Sequence, residues 1–180
     1  MPRIPYVARD LAEPREIVEA VRARRGGELL LLDRLLLHSP QLAAGWNTYL
    51  GAIRTRLSLA PRLRELAICS VAVLNDAQYE YLHHAPEFLK TGGSQAQVDA
   101  LRDVEAAAGN EKLFDDAERA VLSMSLEMTR SVTVEDETFA RTLKALSNPQ
   151  SVIELVAVIA TYNMVSRFLV ALGVEPEGSK

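Results

Sequence analysis

The chain is 180 residues long, about the length of one domain, and a chain of this size buries about 70% of its unfolded surface without help from disulfides or structural metal. A formal charge of −4 offers no electrostatic footprint for nucleic acid, and a single cysteine, Cys69, excludes an intramolecular disulfide. Hydrophobic residues make up 48% but aromatics only 6%, a mix rich in Ala, Leu, Glu and Arg that favours helix over sheet.

Residues 1–12, interrupted by Pro2 and Pro5, read as an extended N-terminal arm on a single 1–180 domain. The N-terminus has no apolar signal core, and runs such as LVAVIA fall short of the ~18 residues that suggest a membrane span. A soluble cytoplasmic protein with no membrane partner is expected. PREIVEAVRARR reads as a helix with Pro14 in its first turn and Gly26-Gly27 as its stop. The basic end, VRARRGG, is short and followed by Glu28, which favours a solvated helix end over a phosphate site. LLLLDRLLLHS follows as a short apolar helix, with His38 placed to cap its C-terminus. Residues 41–57 form another helix carrying Trp46 and Tyr49, which read as core or pocket wall.

Pro61 opens PRLRELAICSVAVLN, whose low polarity after the first turn predicts a central helix. The next helix runs from Asp76, a candidate N-cap, to about Lys90, with Pro86 set to kink or divide it. SQAQVDALRD is a short amphipathic helix capped by Ser94, followed by a loop around Gly109. FDDAERAVLSMSLEMTR and DETFARTLKAL are two more helices. PQSVIELVAVIATYNMVSRFLVALG is a long helix with almost no polar face until Tyr162, so it belongs in a core or between subunits. Asn163 and Arg167 interrupt it at i,i+4, and a buried Arg there needs a partner, with a structural pairing favoured. No strand alternation or fixed-period repeat persists, so the fold class expected is an all-α bundle of about eight or nine helices.

The titratable groups gather in one stretch, NDAQYEYLHHAPEF, which holds two of the three histidines. On a helix Glu80 and His84 are four apart and share a face, while His83 points elsewhere. A carboxylate beside an imidazole orients it and favours its charged form, which makes a proton donor near neutral pH. The same spacing also describes an ordinary solvated ion pair. Glu65 lies about one turn inside the central helix, where a dipole-complementing acid is the plain alternative to a functional one. Glu80 and His83 fit a Glu-x-x-His metal motif, but no second such motif occurs, so no metal is expected. Cys69, four after Glu65, reads as a small buried apolar residue rather than a nucleophile.

Three segments together resemble the carboxymuconolactone decarboxylase family, which includes the alkyl hydroperoxidase D-like proteins. LAPRLRELAICSVAVLN is similar to that family's signature helix, AQYEYLHHAPEFLKTGGS to its histidine-bearing segment, and YNMVSRFLVALGVEPEG to its closing helix. The resemblance implies that the signature glutamate falls on Glu65 and the helix histidine on His84. Where the redox-active branch carries Cys-x-x-Cys, this chain has Ala77 and Glu80, so no dithiol–disulfide cycle is available. The resemblance then implies the thiol-free branch, with the alkyl hydroperoxidase D-like fold, no cofactor, and removal of CO2 from a small carboxylated lactone. The catalytic candidates are Glu65, Glu80 and His84, and the substrate-binding candidates are Tyr79, His83 and Trp46. The alternatives are a non-catalytic helical ligand-binding or scaffold protein and a weak peroxidase working through Cys69. The partners expected are a small-molecule substrate and further copies of the chain, as a dimer, trimer or hexamer, with no nucleic acid.

Overall fold

The computed structural model describes residues 2–178. Ten helices and no strands occur among them: α1 (Arg15–Arg25), α2 (Leu31–Leu36), α3 (Pro40–Thr55), α4 (Pro61–Leu74), α5 (Gln78–Lys90), α6 (Gln95–Ala100), α7 (Val104–Ala108), α8 (Asp116–Arg130), α9 (Asp136–Leu146) and α10 (Pro149–Leu172). The helix beyond the expected count is α7. Asp103, read as the tail of the preceding helix, instead starts a new one by accepting a hydrogen bond from the Ala106 amide at 3.0 Å.

The described residues form two compact units, one of residues 2–57 and 171–178, the other Ser58–Val170. In the N-terminal unit, α1 and α3 bury Val18, Val21, Ala43, Trp46, Leu50 and Ile53. Here the basic cluster is not a solvated helix end. Arg25 Nε and Nη2 donate to both oxygens of Asp33, at 3.0 and 3.1 Å, and Asp33 is buried. Asp33 also accepts from the Leu30 amide at the start of α2, so one carboxylate caps a helix and neutralises a guanidinium. Arg24 Nε donates to Asn47. His38 ties down the arm rather than capping a helix, its Nε2 lying 2.7 Å from the Pro5 carbonyl oxygen. Arg34 holds the same arm by donating to the Val7 carbonyl at 2.7 Å.

In the second unit α4 is the central helix, and α5 and α8 pack on it. Every residue from Glu65 to Ala72 is buried. Two polar ties fix α4 at its ends. At the N-terminal end, Arg62 Nε donates to Glu118 Oε1 at 2.7 Å. Glu118 also accepts from Gln97 of α6 and closes the capping box that starts α8. At the C-terminal end, Asn75 donates to Asn163 Oδ1 at 3.0 Å, and Asn163 donates onward to Thr129 of α8 at 2.9 Å. That amide therefore ties α10 to α4 and α8.

The turn into α5 differs from expectation. Asp76 has φ 52°, a left-handed conformation that cannot serve as an N-cap, and Ala77 takes that place. α5 also runs through Pro86 undivided. Pro86 lies on the exposed side, so its missing N–H falls on the solvated face. α10 passes, by length and composition, as long and apolar enough to cross a membrane, although no single run in the sequence does. Half of its most apolar window is buried within the protein, and Tyr162, Asn163 and Ser166 point inward, which is the pattern of a core helix. Arg167 is exposed rather than buried, donating to Asn163 Oδ1 at 3.2 Å.

Candidate active site

The α5 sequence places Glu80, His84 and Phe88 at i, i+4 and i+8, one inward stripe. Phe88 is fully buried and anchors that stripe in the core, so the two titratable groups before it are carried inside with it. On α4, Glu65 lies beyond the first turn, where an acid no longer serves the free amides of the helix start. It points instead across the α4–α5 interface.

The three groups meet. His84 Nδ1 is 2.6 Å from Glu65 Oε2, and His84 Nε2 is 3.2 Å from Glu80 Oε2. Glu65 is 3% exposed, Glu80 5% and His84 2%. This is neither a solvated i,i+4 pair nor a dipole-complementing acid; it is a buried imidazole clamped at both nitrogens by carboxylates. Arg64 Nε donates to the second oxygen of Glu65 at 3.1 Å and supplies a compensating positive charge.

The electrostatics follow from that geometry. Burial alone pushes the His84 pKa down, but the hydrogen bonds and charges of Glu65 and Glu80 outweigh it, and the imidazole is held above the ordinary histidine value. Burial pushes Glu65 up, yet the His84 hydrogen bond and charge and the nearby Arg64 outweigh it and hold the carboxyl below its usual range. The arrangement therefore favours the charged imidazole between the two carboxylates over the neutral ring.

Cys69 lies one helical turn after Glu65 and is fully buried. Burial, then the charges of Glu65 and Glu80, push its thiol far up, so the thiolate needed for nucleophilic or redox chemistry is suppressed. Tyr79 and His83 form their own pair: the rings stack with centroids 4.3 Å apart, and His83 Nδ1 is 2.7 Å from the Tyr79 carbonyl oxygen. Trp46 belongs to the N-terminal unit, where it lines a pocket with Val21, Arg24, Asp33 and Asn47. Among the described residues no cluster of His, Cys, Asp and Glu is arranged to hold a metal ion.

One residue of the cluster escaped the sequence reading. Tyr162 of α10 places its hydroxyl 3.3 Å from His84 Nε2, with its ring edge-on to the imidazole at 5.1 Å. The sequence signal was present, since Tyr162 and Asn163 are where polarity enters an apolar helix, but no spacing rule links position 162 to position 84.

Residues 40–124, from α3 into α8, match the model of the carboxymuconolactone decarboxylase family. This segment is similar to the carboxymuconolactone decarboxylase family. It contains Glu65, Glu80 and His84, while Tyr162 lies outside the matched residues. The sequence finds no match among curated proteins. Solved structures show the same all-helical, alkyl hydroperoxidase D-like fold. A peroxidase-related protein of Silicibacter sp. TM1040 superposes with a TM-score of 0.79 at 15% identity, covering 98% of this chain and 91% of that one. The debrominase Bmp8 gives 0.77 at 18% identity, covering 96% and 91%. An alkylhydroperoxidase AhpD core protein of Ralstonia eutropha JMP134 gives 0.72 at 17% identity, covering 91% and 84%. At these identities the likeness is one of fold. The matched family and the shared fold include enzymes, and this chain has a carboxylate at position 80 and no cysteine pair.

Proposed function

We propose that Glu65, Glu80 and His84 form the acid–base centre of a cofactor-independent lyase, or of a related proton-transfer enzyme, acting on a small carboxylated lactone or carbonyl metabolite. The observation that carries this reading is the 2.6 Å contact between His84 Nδ1 and Glu65 Oε2 in a buried setting, with Nε2 in the longer contacts, 3.2 Å to Glu80 and 3.3 Å to Tyr162. In the lyase form, the bond between the substrate's carboxylate and ring carbon breaks. CO2 leaves, and the electron pair passes into the lactone carbonyl as an enolate. His84 then gives its Nε2 proton to that carbon and regains one from water. Glu65 fixes ring orientation through Nδ1, and Glu80 favours the protonated state through Nε2. Such proton transfer by a positioned side chain is worth typically ~10²–10⁴-fold in rate.

Near-complete burial of the cluster favours a second reading, a non-catalytic scaffold in which the carboxylates and imidazole are an interior ion pair. Peroxide reduction through Cys69 is disfavoured by the buried, protonated thiol. The deciding experiment incubates the wild-type protein and His84→Gln with a panel of carboxylated lactones, β-keto acids and enolisable ketones. CO2 release and deuterium uptake from D2O are read. The enzyme reading expects turnover that His84→Gln abolishes; full turnover in that variant removes His84 from the mechanism, and none by wild type on any member favours the scaffold.

The second unit also supports self-association. α10 leaves Ile153 69% and Met164 42% exposed, with Ala160 between them on the same side, an apolar helix face of the kind that subunits cover. A homo-oligomer is the state that fits this face.

A further inference from the structure

His84 Nε2 faces two oxygens at nearly the same distance, and they are chemically opposite. Glu80 Oε2 at 3.2 Å only accepts while it is ionised. The Tyr162 hydroxyl at 3.3 Å can donate. Nδ1 is committed to Glu65 at 2.6 Å and keeps its proton in either state of the ring. When Nε2 carries a proton, its best acceptor is the Glu80 carboxylate, because a charge-assisted hydrogen bond is the stronger. Once that proton has gone, the Nε2 lone pair confronts a carboxylate that repels it and a phenol that can donate to it.

We propose that Tyr162 is a positioning residue for the unprotonated form of His84: its hydroxyl donates to Nε2 after the proton leaves and holds the lone pair in place until the proton returns. The partner of Nε2 thus exchanges from Glu80 in the imidazolium to Tyr162 in the neutral ring, with Nδ1–H fixed on Glu65 throughout. The two partners pull in opposite directions, Glu80 towards the cation and Tyr162 towards the neutral ring. The edge-on ring at 5.1 Å packs in both states, so only the hydroxyl changes role. The placement of Tyr162 is secured by its neighbour Asn163, bonded to Asn75 and Thr129. Among the described residues, the charged groups in contact with the imidazole are Glu65, with Arg64 behind it on α4, and Glu80 on α5, and the buried Cys69 thiol lies one helical turn from Glu65.

This inference rests on the acid–base reading for its chemical purpose, but its test needs no substrate. The imidazole nitrogens of ¹⁵N-histidine-labelled protein are titrated by NMR in wild type, Tyr162→Phe, Glu80→Met and the double variant. Met at position 80 removes the carboxylate without adding a donor, so Glu80→Met is expected to bring the His84 midpoint to lower pH and expose the neutral ring to measurement. The proposal expects the neutral Nε2 signal of Glu80→Met to show an accepted hydrogen bond. In the double variant that signal moves to the value of a free acceptor, and the midpoint returns towards higher pH. Phe keeps the ring, so a role in packing alone leaves both readouts where they were. Identical Nε2 shifts and midpoints in Glu80→Met and the double variant overturn the proposal. Should wild type process no substrate while the double variant still shows the shift, the catalytic reading fails and the hydrogen-bond exchange stands.

Discussion

His84 Nδ1 and Glu65 Oε2 lie 2.6 Å apart across the interface of α4 and α5, both side chains nearly sealed from solvent. A contact this short between a carboxylate and an imidazole is charge-assisted, and it ties the two helices at the middle of the second unit's core. It also makes the protonation of one group depend on that of the other. Most of what the protein is expected to do, and much of its response to pH, follows from this pair.

The first consequence concerns stability. His84 has a raised pKa in the folded state, so its contribution is fully present below the ordinary value of 6.5 and is lost as pH climbs through the folded pKa. Glu65 has a lowered pKa, so its contribution is present above the ordinary value of 4.5 and is lost as pH falls through the folded pKa. Urea denaturation across pH is expected to show highest stability from this pair between those two ordinary values, with decline on either side. In Glu65→Gln the shoulder flattens, and stability at pH 6 drops by about 3 kcal/mol, the usual scale for breaking a buried pair. An unchanged pH profile in that variant contradicts the coupling.

The lone thiol gives a second test. Cys69 is fully buried and its thiol is pushed far up, so the native protein is expected to resist alkylation while the urea-unfolded chain labels at one site. Cys69→Ala is expected to leave any turnover intact. Rapid labelling of the folded protein, or peroxide consumption lost with Cys69→Ala, restores the thiol to the chemistry.

Much of the architecture was legible because helix period and stop signals are local. PREIVEAVRARR closed by Gly26, and DETFARTLKAL over residues 136–146, appear where pattern and punctuation put them. The joint occurrence of Glu65, Glu80 and His84 was accessible through spacing within α5 and the family resemblance for α4. Burial was not accessible, because it is decided by Phe88 and by packing on α4 rather than by the i,i+4 pattern. The partners of Arg24 and Arg25 were missed for a similar reason: Asp33 lies in another helix, and only the folded chain brings it under the guanidinium groups. Tyr162 is 78 residues from His84, beyond any periodicity.

Gly93 is a steric keystone next to the site helix. A Cβ built there meets the ring of Phe88 at 2.6 Å, and that ring is fully buried with little room to turn. Gly93→Ala is expected to cost about 1–3 kcal/mol by overpacking, and Phe88→Leu in the same chain to recover part of it. Equal melting temperatures for wild type and Gly93→Ala disprove the constraint.

The N-terminal unit carries its own reporter, since Trp46 is the one tryptophan in the chain. Asp33→Ala removes the acceptor of Arg25 and of the Leu30 amide and leaves a half-buried guanidinium without its anion. A loss of about 3–5 kcal/mol is expected for breaking such a pair. Tryptophan fluorescence is expected to change at a lower urea concentration than in wild type. Coincident transitions in the two proteins contradict this.

Self-association through α10 is tested by charge. Met164→Glu sets an ionised group in the exposed apolar face and is expected to shift the mass from light scattering down to that of one 19.8 kDa chain, with helical content kept. A wild type that is already monomeric, or an oligomer unmoved by the substitution, removes α10 as the interface.

Whether two buried carboxylates outweigh burial at His84 decides if the site holds an acid. The measurement is the pH titration of the His84 imidazole by ¹⁵N NMR in the wild-type protein. The midpoint is expected above the ordinary histidine value of 6.5, and to fall in both Glu65→Gln and Glu80→Gln. A wild-type midpoint below 6.5, with the ring neutral at pH 7, contradicts the claim, because burial then dominates and no acid stands ready at that site.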